Sequence, residues 1–239
     1  MKTESRQPYR FYDVVTALFV TVLLLSALLS SAKIIDTGIV LGPLALVFDA
    51  GTLIFPISYI FGDILTEVYG YKRSRRVIWM GFVALALMAL FVWLAGALPG
   101  EAEWQSYAGD AAFNAILGGI PGLAIASLIA YWAGEFSNSF VLAKMKIATQ
   151  GRWLWTRTIG STLVGQGVDT VIFFVIATAL GVFPPAILIS LIVTNYIFKV
   201  GIEVILTPIT LTVVNALKRA ENEDYYDINT RFNPFRFES

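Results

Sequence analysis

The chain has no cysteine and no histidine. Disulfides, thiol nucleophiles, thiolate or imidazole metal sites and histidine proton relays are therefore excluded. Charge is scarce too. Asp, Glu, Lys and Arg make up 14% of the 239 residues, and the formal net charge is zero. No glycine-rich phosphate loop ending in Gly-Lys-Ser/Thr occurs, so no ATPase of the chain's own is evident. Without His or Cys there is no ready nucleophile–base constellation, and no enzyme is expected. No cofactor, metal or nucleic-acid partner is expected either. No internal repeat and no separate soluble domain stands out.

What is abundant is apolar surface. Hydrophobic residues are 57% of the chain, more than a soluble domain of this length needs for its core. The excess calls for lipid as solvent. The reading is an all-α integral membrane protein with six transmembrane helices and both termini cytoplasmic. Helices are expected over 14–32, 77–98, 116–142, 158–182 and 186–217. The second apolar region, 41–69, is irregular, broken by Pro43, Gly51, Pro56 and Gly62. It reads as one kinked helix or as a half-helix followed by a helix, which needs protein or a cavity to re-satisfy its backbone. Val14 to Ala32 is long for a cleaved leader and is read as a retained helix. Residues 1–239 form one transmembrane domain, with cytoplasmic segments at 1–13 and 218–239.

The basic residues give the orientation. Lys2, Arg6 and Arg10 precede the first helix, and Lys72, Arg73, Arg75 and Arg76 follow the second region. Lys144, Lys146, Arg152 and Arg157 join the fourth and fifth helices, and Lys218, Arg219, Arg231 and Arg236 follow the sixth. In a six-span chain all of these face one side, leaving only Lys33 and Lys199. The positive-inside rule makes that side cytoplasmic. Trp93, Trp104, Trp153 and Trp155 read as interfacial belt residues.

Polar residues recur inside the spans at helical spacing. They are Tyr59, Asp63 and Glu67 in region 2, and Ser127, Tyr131, Glu135 and Asn138 in helix 4. Helix 5 has Thr162, Gln166 and Asp169, and helix 6 has Asn195, Lys199 and Glu203. Spacings of three and four put each set on one face. Ionisable groups in lipid are costly and turn inward, so four such stripes describe a wet or ligand-filled interior. The candidate substrate-binding residues are Gln166, Asp169, Glu135, Asn138, Lys199, Glu203, Asp63, Glu67, Tyr59 and Tyr131. Each also has a plainer reading. Lys199 and Glu203 can pair as i,i+4 neighbours; Asp63 and Glu67 can pair with Arg73, Arg75 or Arg76. Glu135 and Asn138 can cap or pair near the inner surface. Gln166 and Asp169 can hydrogen-bond between helices, with Lys199 as partner. The depth of Asp49 depends on how region 2 breaks.

The stretch Phe55-Pro56-Ile57-Ser58-Tyr59-Ile60-Phe61-Gly62-Asp63-Ile64-Leu65-Thr66-Glu67-Val68-Tyr69-Gly70 resembles the queuosine precursor transporter family, also described as the vitamin uptake transporter family. So do Gly134-Glu135-Phe136-Ser137-Asn138-Ser139, and Ser161 to Thr170 with Gly165-Gln166-Gly167-Val168-Asp169-Thr170. The tail from Asp224-Tyr225-Tyr226-Asp227 to Phe232-Asn233-Pro234-Phe235 is similar as well. The resemblance implies six helices in a bacterial or archaeal plasma membrane and import of a 7-deazaguanine precursor: the cyano base, the aminomethyl base or queuine. A deazaguanine presents N–H donors beside a carbonyl acceptor. Asp169 or Glu135 can accept, Gln166, Asn138 or Lys199 can donate, and Phe173, Phe174 or Tyr131 can cover the ring. Asp169, Glu135 and Glu203 are candidates to carry a coupled proton. A second reading is the substrate-binding membrane component of an energy-coupling-factor-type vitamin transporter; a third is a membrane enzyme. Partners are the small molecule and membrane lipids. Gly118, Gly119, Gly122 and Ala126 permit close helix contacts, within one chain or in a homo-oligomer.

Overall fold

A computed structural model describes residues 9–42 and 44–226. The tail motif beyond Tyr226, and the basic residues Lys2, Arg6, Arg231 and Arg236, lie outside the described residues.

Helix α1 spans Tyr12–Ala32. Two antiparallel strands follow, β1 (Ile34–Leu41) and β2 (Leu44–Asp49). A 3-10 turn (Ala50–Leu53), α2 (Phe55–Ile64) and a π-helical turn (Leu65–Tyr69) come next. Then come α3 (Tyr71–Ala97), the short α4 (Ala102–Tyr107) and α5 (Gly109–Leu117), and α6 (Ile120–Ala148). Helix α7 spans Leu154–Ala179, and α8 spans Leu188–Glu221. Five helical stretches are long and apolar enough to cross a membrane: α1, α3, α5–α6, α7 and the turn-plus-helix ending in α8.

The hairpin corrects the expected helical start of region 2: residues 41 and 44–49 are strand. The apolar run 44–48 has five residues between Gly42-Pro43 and Asp49-Ala50-Gly51 in the sequence. It is too short and too tightly bounded for a helix, and 34–41 is rich in β-branched residues. Gly38 and Gly42 take φ of +70° and +62°, and the register shifts between Asp36 and Val40. The backbone N–H of Ala50 donates to Lys33 O at 2.8 Å and closes the hairpin base.

Region 2 proper is broken into three pieces. Its ten-residue α2 rises only about 15 Å, half a hydrocarbon core. The whole segment nevertheless links the two ends of the bundle. Ser30 hydrogen-bonds Asp49 at one end, and Tyr69 Oη donates to Glu221 at 3.0 Å at the other. Glu221 also accepts from Phe11 N, so α1 begins and α8 ends there.

Helices α6 and α7 cross at Gly134 and Gly165. A Cβ on Gly165 would stand 2.6 Å from Asn138 Cβ and 3.0 Å from Gly134 O. Two bare Cα positions allow that approach. Apolar packing gathers in two zones. One, at the Glu221 end, contains Phe19, Leu65, Val68 and Tyr69; the other contains Ala126, Phe173, Phe174 and Phe183. Phe91, Ile197 and Ile205 stand outward, 64% exposed or more, as a lipid-facing surface requires. Trp93, Trp153 and Trp155 are exposed as well.

Candidate binding site

Asp49 ends β2 and caps the 3-10 turn, its side chain accepting from Thr52 N at 3.2 Å. The Thr52 hydroxyl lies 2.8 Å from Asp49 Oδ2 and 2.7 Å from Asn195 Oδ1, and donates to one of them. Asn195 Nδ2 donates to Leu191 O at 2.8 Å, which fixes the amide. Asp49 and Thr52, the last turn of α1 at Ser30, and Phe55 at the start of α2 form one wall of a small cavity. Tyr131 of α6, Asp169 and Phe173 of α7, and Lys199 of α8 form the other.

Lys199 Nζ donates to Asp169 Oδ2 at 3.1 Å, and both side chains are almost wholly buried. The same ammonium stands 4.1 Å from the centre of the Phe55 ring, a cation–π contact. Phe173 meets Phe174 edge to face. The cavity therefore has acceptors (Asp49, Asp169), a donor (Lys199), and aromatic faces. The Tyr131 hydroxyl has no protein partner among the described residues. Apolar faces and a few convergent polar groups describe a pocket for a flat, polar-edged ring.

All ten candidates are buried, but they fall into three places. Tyr131, Asp169 and Lys199 line the cavity. Asp63, Glu135, Asn138, Gln166, Glu203 and Tyr59 do not. Asn138 Nδ2 donates to Asp63 Oδ1 at 2.8 Å, Tyr59 Oη donates to Gly165 O at 3.3 Å, and the Glu135 carboxylate lies against the Cα of Gly62. Glu67 sits at the Glu221 end in a separate ion cluster. Arg157 Nη2 approaches it at 3.2 Å, Lys218 Nζ at 2.9 Å and Lys146 Nζ at 3.5 Å.

Of the two partners the sequence offers Lys199, the structure takes Asp169 on α7 and not Glu203 on its own helix; the pairing of Glu67 differs from the expectation. Glu67 pairs with Lys146, Arg157 and Lys218 and not with Arg73, Arg75 or Arg76, because the π turn swings its side chain toward α6–α8 and away from α3. Arg73 donates instead to Tyr69 O at 2.8 Å.

Asp224 completes the ion cluster, 2.8 Å from Lys146 Nζ and 2.9 Å from Lys218 Nζ. Burial pushes its carboxyl up, but the hydrogen bonds from the two lysines outweigh this and hold it below the usual carboxylate range. Lys146 also donates to Tyr225 O at 2.7 Å, and the Tyr225 ring lies on Gly70, whose φ is +87°. Residues 223–226 thus strap that end of the bundle.

The site residues missed from sequence are Thr52, Ser26, Ser30 and Phe55, with Asp49 left undecided. Small hydroxyls in an apolar run carry little signal. Phe55 was legible only as part of the motif.

A family model described as "Putative vitamin uptake transporter" matches residues 49–213. The chain is 31% identical over 159 residues to the "Probable queuosine precursor transporter" of Bacillus subtilis, covering 66% of this chain and 68% of that one. It is 27% identical over 157 residues to the "Queuosine precursor transporter" of Escherichia coli, covering 65% and 67%. A third relative, the "Probable queuosine precursor transporter" of Haemophilus influenzae, is 27% identical over 172 residues, covering 71% and 69%. No solved structure matches the chain.

Proposed function

The chain belongs to the vitamin uptake transporter family, and from that premise we propose that it imports a queuosine precursor, a 7-deazaguanine base, across the plasma membrane. The observation that carries this reading is the Asp169–Lys199 pair set beside the Phe55 ring in the cavity. Asp169 accepts from the N–H donors of the pyrimidine edge, and Lys199 donates to the neighbouring carbonyl. Phe55 and Phe173 cover the ring faces. A site built on such bonds rejects analogues that lack them, because its buried polar groups are then left unpaired.

The broken segment 50–69 serves as a sixth crossing beside the five long helices. Six crossings place both termini in the cytoplasm. The cavity then lies in the outer half, under the hairpin, and the Glu67 cluster with its strap of 223–226 closes the inner end. Such an arrangement loads from outside and releases inward once the strap and ion cluster part.

Cells unable to make deazaguanines provide the test. Labelled cyano or aminomethyl base should enter them only when the chain is present. Purified protein in liposomes should move the base with no ATPase partner, which separates the carrier from an energy-coupling-factor component. Unchanged base affinity in both Asp169→Asn and Lys199→Met would remove the cavity from the reading.

A further inference from the structure

We propose that Asp63, Glu135 and Glu203 form a proton-loading site, apart from the cargo cavity, whose protonation is coupled to uptake; this rests on the carrier reading above. The bundle interior holds four groups of acids, of which Asp49 has no cation but is held by the Ser30 hydroxyl and by Thr52 N. Asp169 has Lys199 as counter-ion, and Glu67 has Lys146, Arg157 and Lys218. Asp63, Glu135 and Glu203, all fully buried, have no cation within ion-pair distance among the described residues.

Asp63 and Glu135 sit together, and α8 brings Glu203 toward them. The Glu135 carboxylate lies on Gly62, the residue before Asp63, and a Cβ there would collide with it. Glu203 is within electrostatic range of both, and Glu135 is within range of Asp63 and Asp169. The other titratable groups facing them are Glu67, Tyr59 and Tyr131, with Lys199 held by Asp169.

Hydrogen bonding gives an independent pointer. Both oxygens of Glu135, both of Glu203, and Asp63 Oδ2 have no protein donor among the described residues. Asn138 is fully buried and reaches into the cluster through its bond to Asp63, yet its own Oδ1 also has no donor. The cluster is a surplus of acceptors. An ionised carboxylate only accepts, whereas a protonated one brings an O–H donor. Protons on these acids remove the uncompensated charge and turn the surplus into a bonded network. A metal ion is the poorer occupant: no group of three or more acidic ligands among the described residues is arranged to hold one.

The cluster also reaches the cargo. Glu135 lies one helical turn from Tyr131, which lines the cavity, and Tyr59 stands within range of Asp169, Glu135 and Glu203 at once. Asp169 itself is the poorer proton carrier, being already neutralised by Lys199.

Purified protein in liposomes tests the proposal in three measurements. Exchange of labelled 7-deazaguanine base with no ion gradient examines the carrier reading alone. An acid-outside gradient, set against a sodium gradient, examines the coupling. For one coupled proton, each pH unit should raise accumulation about tenfold. Glu135→Gln, Glu203→Gln and Asp63→Asn keep size and shape. They should retain exchange and lose the response to pH. Third, the protonated-carboxyl stretch in infrared spectra of the cargo-free protein should weaken in the Glu135→Gln and Glu203→Gln variants. Wild-type exchange with no response to the pH gradient, or with drive from sodium, overturns the proton site and leaves the carrier intact. Absence of exchange removes the carrier reading, and the infrared band then decides protonation alone: a band lost with either glutamate upholds it, an unchanged band ends it.

Discussion

A lysine in the middle of a membrane bundle is held there by its counter-ion. Lys199 and Asp169 are each nearly inaccessible and 3.1 Å apart. Removing one partner leaves an uncompensated buried charge, which costs about 3–5 kcal/mol. Asp169→Asn should therefore lower the melting temperature in detergent, and Lys199→Met should do the same. The double variant should regain most of that loss, because a buried pair contributes little net stability over neutral neighbours. It should not regain base binding. Full recovery of binding in the double variant would mean that the pair only holds the helices together. That ten spaced polar residues turn inward was legible in the sequence, since lipid gives them nowhere else to go. Their pairing was legible only as alternatives, with both Glu203 and Asp169 open to Lys199. The i,i+4 rule offers Glu203 to Lys199, but the side chain takes the acid on the facing helix, and only the α7–α8 packing decides that.

Between elements, the α6–α7 crossing depends on what is missing from two residues. A Cβ on Gly134 would stand 2.6 Å from Tyr59 Oη and 2.9 Å from Gly165 O. Backbone is on the receiving side, so the helices must separate. Gly134→Ala and Gly165→Ala should each cost about 1–3 kcal/mol and displace Tyr59 from Gly165 O. Gly201 lies in α8 with nothing within 4 Å of its Cβ position. Gly201→Ala should stabilise by up to about 1 kcal/mol, through helix propensity and a less flexible unfolded chain. Thermal melts of the three variants check the signs; equal behaviour would show that the crossing is loose. The long apolar helices were readable because each run outlasts any soluble alternative, although α3 and α6 extend six residues beyond their expected cytoplasmic ends, to Tyr71 and Ala148. The hairpin was not readable as such. Apolar residues at 44–48 carry no period of their own, and the hydropathy of the whole region hid the Gly42-Pro43 and Asp49-Ala50-Gly51 bounds that make the run too short for a helix. The break in region 2 was visible in its Pro and Gly, but the π turn that sends Glu67 to Lys146 and Arg157 leaves no mark in sequence.

Across the whole molecule, one end carries the hairpin and cavity and the other carries the ion cluster. The cluster's outermost member titrates. Asp224 is held below its ordinary range by Lys146 and Lys218, so the stability it lends to the strap is fully present above about pH 4. That stability is lost as pH falls through its lowered folded value. The group is 46% exposed, so its share is no more than about 1 kcal/mol. Amide protection at 223–226, relative to free amides at the same pH, should fall by up to about fivefold below pH ~4 and by a similar factor at neutral pH in Asp224→Asn. The cysteine-free chain also permits a clean test of sidedness. Ile39 on the hairpin is 53% exposed, and Gln150 lies in the exposed turn between α6 and α7. In intact cells an impermeant maleimide should label Ile39→Cys and spare Gln150→Cys until the membrane is opened. The reverse pattern would invert the bundle, place the cavity on the cytoplasmic side, and make 223–226 an outer strap. Equal labelling of both sites in intact cells would mean that segment 50–69 does not cross, and the chain would have five spans with its ends on opposite faces.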